Sequence, residues 1–169
     1  MESKNLWAPW RINYIRGLDK TTDCFICHNR DNPQDDDENL VLWRGEKSIV
    51  ILNRYPYNNG HLLIAPLRHI ANLDEASDEE MLEVTKLIRE SQKALCLTIN
   101  PHGFNIGMNF GRCAGAGLPG HLHMHVVPRW SGDTNFINVC GNADVISQSL
   151  TELLDMLKKV SKEHGLPVL

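Results

Sequence analysis

The chain has 169 residues, 42% of them hydrophobic and 22% charged, and 17 basic against 21 acidic side chains leave a formal net charge of -4. That length suits one soluble globular domain spanning 1–169 and is short for two. The acidic balance, without a long basic run, argues against a nucleic-acid partner, yet a locally positive pocket for a small phosphate-bearing ligand stays open.

The five cysteines are an odd number. With no signal peptide at the polar start, they point to a reducing cytoplasm rather than a disulfide framework. No apolar run approaches the length that spans a bilayer, so no membrane partner is expected.

Residues 1–20 form an aromatic N-terminal arm in which Trp7, Trp10 and Tyr14 surround Pro9. Such side chains need burial, against the domain or a partner chain. A cysteine-bearing loop, TTDCFICHNRDN, follows, and then the acidic PQDDDENL, read as a solvated loop. LVLWR (40–44) and SIVILN (48–53) flank Gly45-Glu46-Lys47 as a hairpin, and HLLIAP (61–66) follows the turn-rich YPYNNG.

Ser77-Asp78-Glu79-Glu80 has the form of a capping box. Beyond it Met81, Val84, Leu87, Ile88 and Leu95 recur at helical spacing, and Asn100-Pro101 should end that helix. FNIGMNF (104–110) resumes strand character, and the glycine-rich loop GRCAGAGLPG leads to GHLHMHVVPRW. A polar loop then precedes a C-terminal helix over 141–164, with Val145, Ile146, Leu150, Leu153, Leu154, Leu157 and Val160 on one stripe. The order predicts an α+β domain: an antiparallel sheet with a long helix and a C-terminal helix on one face.

Three of the eight histidines fall within five residues. On a strand, alternate side chains share a face, so His121, His123 and His125 would line a site while Leu122, Met124 and Val126 enter the core. Near its ordinary pKa of about 6.5 an imidazole can be nucleophile, acid, base or ligand. The residues alone leave open three metal ligands, three catalytic groups, or a mixture. The small residues of GRCAGAG, including Gly115 and Gly117, would let backbone amides approach an anion. A phosphate facing an imidazole could then be displaced to form a phosphoramidate.

Cys24-Phe25-Ile26-Cys27 can supply two corners of a zinc tetrahedron, with histidines for the rest. His28, His61, His69, His102, His164 and the three strand histidines are the candidates. A redox pair would need a βαβ setting that the sequence does not offer.

HLHMHVV, with GHLLIAP upstream, resembles the signature of the histidine-triad (HIT) superfamily at every position. The flanking LWAPWR and PRWSGDTNF are similar to a zinc-containing bacterial branch with diadenosine-polyphosphate phosphorylases and hydrolases. The resemblance implies a HIT-like fold, a homodimer, and His123 as nucleophile on a nucleotide α-phosphate. It gives His125 to the phosphate or leaving group, and His61 to a supporting layer behind the nucleophilic strand. Asn53 is placed near the ribose and Asn109 beside the phosphates. Cys24, Cys27, His69 and His121 become the ligands of a structural zinc. Hydrolytic members often carry Gln where this chain has Gly117, which opens phosphorolysis or nucleotidyl transfer beside hydrolysis.

The leading expectation is therefore an enzyme cleaving a dinucleoside polyphosphate such as diadenosine tetraphosphate, or a nucleotide conjugate, through a nucleotidyl-histidine intermediate. P–N cleavage of nucleoside phosphoramidates is the alternative on the same residues. A non-catalytic nucleotide- or metal-binding module, with all three strand histidines on one metal, is the alternative of another class.

Overall fold

The structure, a computed structural model, describes residues 24–134, 140, 146 and 148–169. The aromatic arm with Trp7 and Trp10, and Val145, lie outside the described residues.

Strands β1 (Val41–Arg44), β2 (Ser48–Leu52), β3 (Leu62–Pro66), β4 (Gly103–Gly107) and β5 (Met124–Arg129) form one antiparallel sheet in the order β1-β2-β3-β5-β4. Alternation along each strand sorts side chains between two layers. Leu42, Val50, Leu52, Leu62, Ile64 and Val126 pack under α2 (Asp78–Ile99) and α3 (Leu150–His164). Val41, Ile49, Ile51 and Ala65 face the other way, against Ile26 of a short helix, α1 (Phe25–Asp31).

The capping box of α2 forms as expected: Ser77 N–H donates to Glu80 Oε2 at 2.8 Å, and Glu80 N–H to Ser77 Oγ at 3.3 Å. Val84, Leu87 and Leu95 are buried, and the helix stops at Asn100, which adopts a left-handed conformation that Asn tolerates. The β1–β2 hairpin is clamped by this helix, because the Glu83 carboxylate accepts from the N–H groups of Glu46 and Lys47 at 2.8 and 2.7 Å. A Cβ on Gly45 would come within 2.6 Å of that carboxylate. A side chain there would have to push the acid aside.

Several boundaries differ from the expectation. The cysteine segment holds α1, seven residues long, too short to show a helical period, and it places a helix on the second face. The C-terminal helix begins at Leu150 rather than 141, because Ser149 caps it by accepting from Glu152 N–H. β4 ends at Gly107, short of Asn109. β5 begins at Met124, so His121 and His123 precede the ladder. Its partner β3 ends at Pro66, whose carbonyl is engaged by His121 Nε2 at 2.8 Å, and Leu122 N–H donates to Ile70 O at 2.6 Å.

Candidate active site and metal centre

Leu63 of β3 pairs in register with His125 of β5, so both lie on the face turned away from α2 and α3. That face carries two clusters at opposite ends of the histidine run. Each can be read atom by atom from which ring nitrogen is bonded to what.

At the first end, α1 delivers Cys24 and Cys27, the segment after β3 delivers His69, and the approach to β5 delivers His121. Their four ligand atoms all lie within 4.8 Å of one another. Cys24 Sγ is 3.1 Å from His121 Nδ1, and Cys27 Sγ is 3.2 Å from His69 Nδ1 and 3.6 Å from His121 Nδ1. A tetrahedral zinc would set sulfur and nitrogen about 3.5 Å apart, so the donor set fits that ion.

His121 is buried, and its Nε2 sits 2.8 Å from Pro66 O. A carbonyl only accepts, so Nε2 bears the hydrogen and Nδ1 offers its lone pair to the sulfur side. Burial chiefly pushes His121 down to about 4, although its bond to Pro66 opposes this. Burial likewise pushes the Cys24 thiol up, so a bound cation is what would hold it as a thiolate.

At the second end, His123 Nδ1 lies 2.8 Å from the His121 carbonyl. The same logic puts hydrogen on Nδ1 and leaves Nε2 bare. Burial lowers the His123 pKa, so the ring is neutral near pH 7. Its neighbour is arranged oppositely. Tyr57 N–H donates to His61 Nδ1 at 3.1 Å, so His61 carries its hydrogen on Nε2. That Nε2–H meets His125 Nδ1 at 2.9 Å, which leaves the His125 hydrogen on Nε2. The rings of His123 and His125 lie edge to face, with centroids 5.0 Å apart. One neighbour presents a lone pair and the next an N–H.

His61 is 1% exposed, so it can act only through its neighbours. Burial first, then repulsion from His125 and His123, pushes it down from 6.5 to about 3. Gly60, immediately before it, has φ +77, and a Cβ there would sit 2.7 Å from Ile99 Cδ1. Asn53 Nδ2 lies 3.2 Å from His61 Nδ1.

Asn109 lies half-buried two residues past β4, whose last pair joins Gly107 to His125. The glycine loop is wound rather than open. Gly115 N–H closes a 3-10 turn onto Arg112 O at 3.0 Å, and Ala116 N–H reaches Gly111 O at 3.2 Å. Those two amides are directed inward, while Gly117 follows in a bend.

The sequence reading missed several supports. Tyr57 packs on His61 with ring centroids 4.6 Å apart, and its ring is stacked at 5.7 Å on His125. Arg68, next to His69, makes a bidentate pair with Glu80 at 2.6 and 2.7 Å. Asp133 pairs with Arg129 at 2.6 Å and accepts from Asn58 Nδ2 at 2.9 Å, bracing the turn before His61. All three lie in or beside quoted motifs, but nothing in spacing signals that Asp133 reaches Asn58.

A five-stranded antiparallel sheet with two long helices on one face, and on the other a His-x-His-x-His run beside a Cys2His2 cluster, defines a histidine-triad protein. The family model for the HIT domain matches residues 34–132. AP-4-A phosphorylase of Mycobacterium tuberculosis is 38% identical over 160 residues, covering 91% of this chain and 82% of that protein. A zinc-bound histidine triad family protein of Mycobacterium smegmatis superposes with a TM-score of 0.69 at 23% identity, over 85% of this chain and 96% of the other. A hypothetical histidine triad nucleotide-binding protein of Sulfolobus tokodaii gives a TM-score of 0.67 at 25% identity, over 83% of this chain and 93% of the other. The chain belongs to the HIT domain family.

Proposed function

We propose that this protein is a nucleotide-cleaving enzyme acting on a dinucleoside polyphosphate of the diadenosine tetraphosphate kind, with inorganic phosphate as acceptor. The observation that carries the reading is the opposed hydrogen placement on two adjacent imidazoles. His123 offers a bare Nε2 because its Nδ1–H is tied to the His121 carbonyl, and His125 offers an Nε2–H because its Nδ1 is tied to His61.

In the first step His123 Nε2 forms a bond to the α-phosphorus as the bond to the leaving oxygen breaks. The electron pair leaves with that oxygen, which accepts a hydrogen bond from His125 Nε2–H. The ring of His123 becomes positive, and the His121 carbonyl on its Nδ1–H stabilises that charge. In the second step a phosphate oxygen attacks phosphorus and Nε2 departs with its electrons, restoring the neutral ring. In this reading Asn109 and the Gly117 stretch meet phosphate oxygens, and Asn53 meets the nucleoside side. The likeness to AP-4-A phosphorylase supports this substrate class, and Gly117 in place of a glutamine amide agrees with an acceptor other than water.

Cys24, Cys27, His69 and His121 would hold a structural zinc, which would pin α1 to the start of the histidine run and, with four protein ligands, would leave no open position. We read the chain as a single domain, a cytoplasmic protein and a homodimer; sedimentation tests the last. No described helix is long and apolar enough to cross a membrane.

The experiment is incubation with diadenosine tetraphosphate, with and without phosphate. ADP plus ATP appearing only with phosphate is the expected result. AMP plus ATP without phosphate makes the enzyme a hydrolase, and no turnover in either case overturns the substrate assignment.

A further inference from the structure

The turn Asn53–His61 is folded around the ring of its last residue. Asn53 N–H donates to His61 O at 2.9 Å, and His61 N–H to Asn58 O at 3.2 Å. The Asn53 amide has a fixed orientation, because its Oδ1 accepts from Tyr55 N–H at 3.0 Å. Its Nδ2 therefore faces His61 Nδ1, 3.2 Å away, as a donor. Tyr57 N–H reaches the same nitrogen at 3.1 Å. Two donors thus converge on one nitrogen of a ring that is 1% exposed.

We propose that Asn53 is a positioning residue for leaving-group departure: its side-chain amide, acting through His61, polarises the Nε2–H of His125. This rests on the reaction proposed above and gives Asn53 a second role beyond the nucleoside contact. The hydrogen-bond chain runs in one direction, from Asn53 Nδ2–H to His61 Nδ1 and from His61 Nε2–H to His125 Nδ1, which leaves the His125 hydrogen on Nε2. In a chain of that kind each donor strengthens the next. No proton changes hands: the phosphorus–oxygen bond breaks, the electron pair leaves with oxygen, and the His125 N–H steadies the charge that appears there. The chain matters most where that charge is largest, which is for a poor leaving group.

The test compares two adenosine 5′-phosphate aryl esters, nitrophenyl (a good leaving group) and unsubstituted phenyl (a poor one). Both share the adenosine moiety, so a lost ribose or base contact lowers both rates alike. In Asn53→Ala, and in Asn53→Asp, which keeps the acceptor for Tyr55 N–H but has no donor for His61, the ratio of kcat/KM for phenyl over nitrophenyl falls about tenfold, the scale typical of outer-layer partners. Equal loss on both esters in the two variants overturns the proposal and leaves Asn53 as a nucleoside contact. A wild-type enzyme inactive on both esters and on diadenosine tetraphosphate overturns the reaction itself, a separate failure. Retained metal content and thermal midpoint in Asn53→Asp show that the fold is intact.

Discussion

His121 and His125 are the same residue type on the same run, four positions apart, yet their rings have separate work. His121 is 1% exposed, ties its Nε2 to a backbone carbonyl and turns Nδ1 to two cysteine sulfurs. His125 is half-buried, ties its Nδ1 to another histidine and keeps its hydrogen on Nε2. Between them His123 inverts the pattern, with Nδ1 tied and Nε2 bare. A ring's job follows from which nitrogen is occupied and whether the occupant donates or accepts. Spacing along the run does not decide it.

The strongest way to break this contrast is to remove the central ring. His123→Asn should cut turnover at least about a thousandfold, while metal content and fold survive, read by steady-state kinetics and elemental analysis. Loss of metal in that variant would make the three histidines one ligand set instead.

The reciprocal change is Cys24→Ala. It should release the metal and lower the thermal midpoint by several degrees, since metal binding to a site absent from the unfolded chain adds to folding stability. Residual activity per folded molecule should exceed that of His123→Asn.

A smaller effect concerns acid. His61 has its folded pKa depressed to about 3 from 6.5, so the unfolded chain takes up a proton that the folded one refuses. Stability from this residue is complete above about pH 6.5 and declines as pH falls toward about 3. Denaturant titrations of metal-free protein between pH 7.5 and pH 4 should show that decline, and His61→Gln should flatten it. An unchanged slope would mean His61 is not the group excluded from protonation.

Much of the sheet was legible, because β1, β2 and β3 are continuous apolar runs and the capping box fixes the start of α2. The histidine run and Cys24/Cys27 were legible as chemistry by type and spacing. The choice of His69 was not legible from spacing, since eight histidines could complete the cluster and only the chain's return after β3 brings that ring to Cys27. The hydrogen placements were out of reach for a further reason. They depend on the carbonyls of Pro66 and His121 and on the N–H of Tyr57, backbone groups that every sequence contains and only a fold can aim. The brace of Asp133 on Asn58 joins residues 75 positions apart in a loop that reads simply as polar.

The most direct measurement is a long-range nitrogen–proton correlation spectrum of the imidazole rings in uniformly 15N-labelled, zinc-loaded protein near pH 7. His123 should show hydrogen on Nδ1 with a bare Nε2, whereas His61 and His125 should both show hydrogen on Nε2. Finding His123 and His125 in the same form would contradict the proposed division of labour between nucleophile and leaving-group donor.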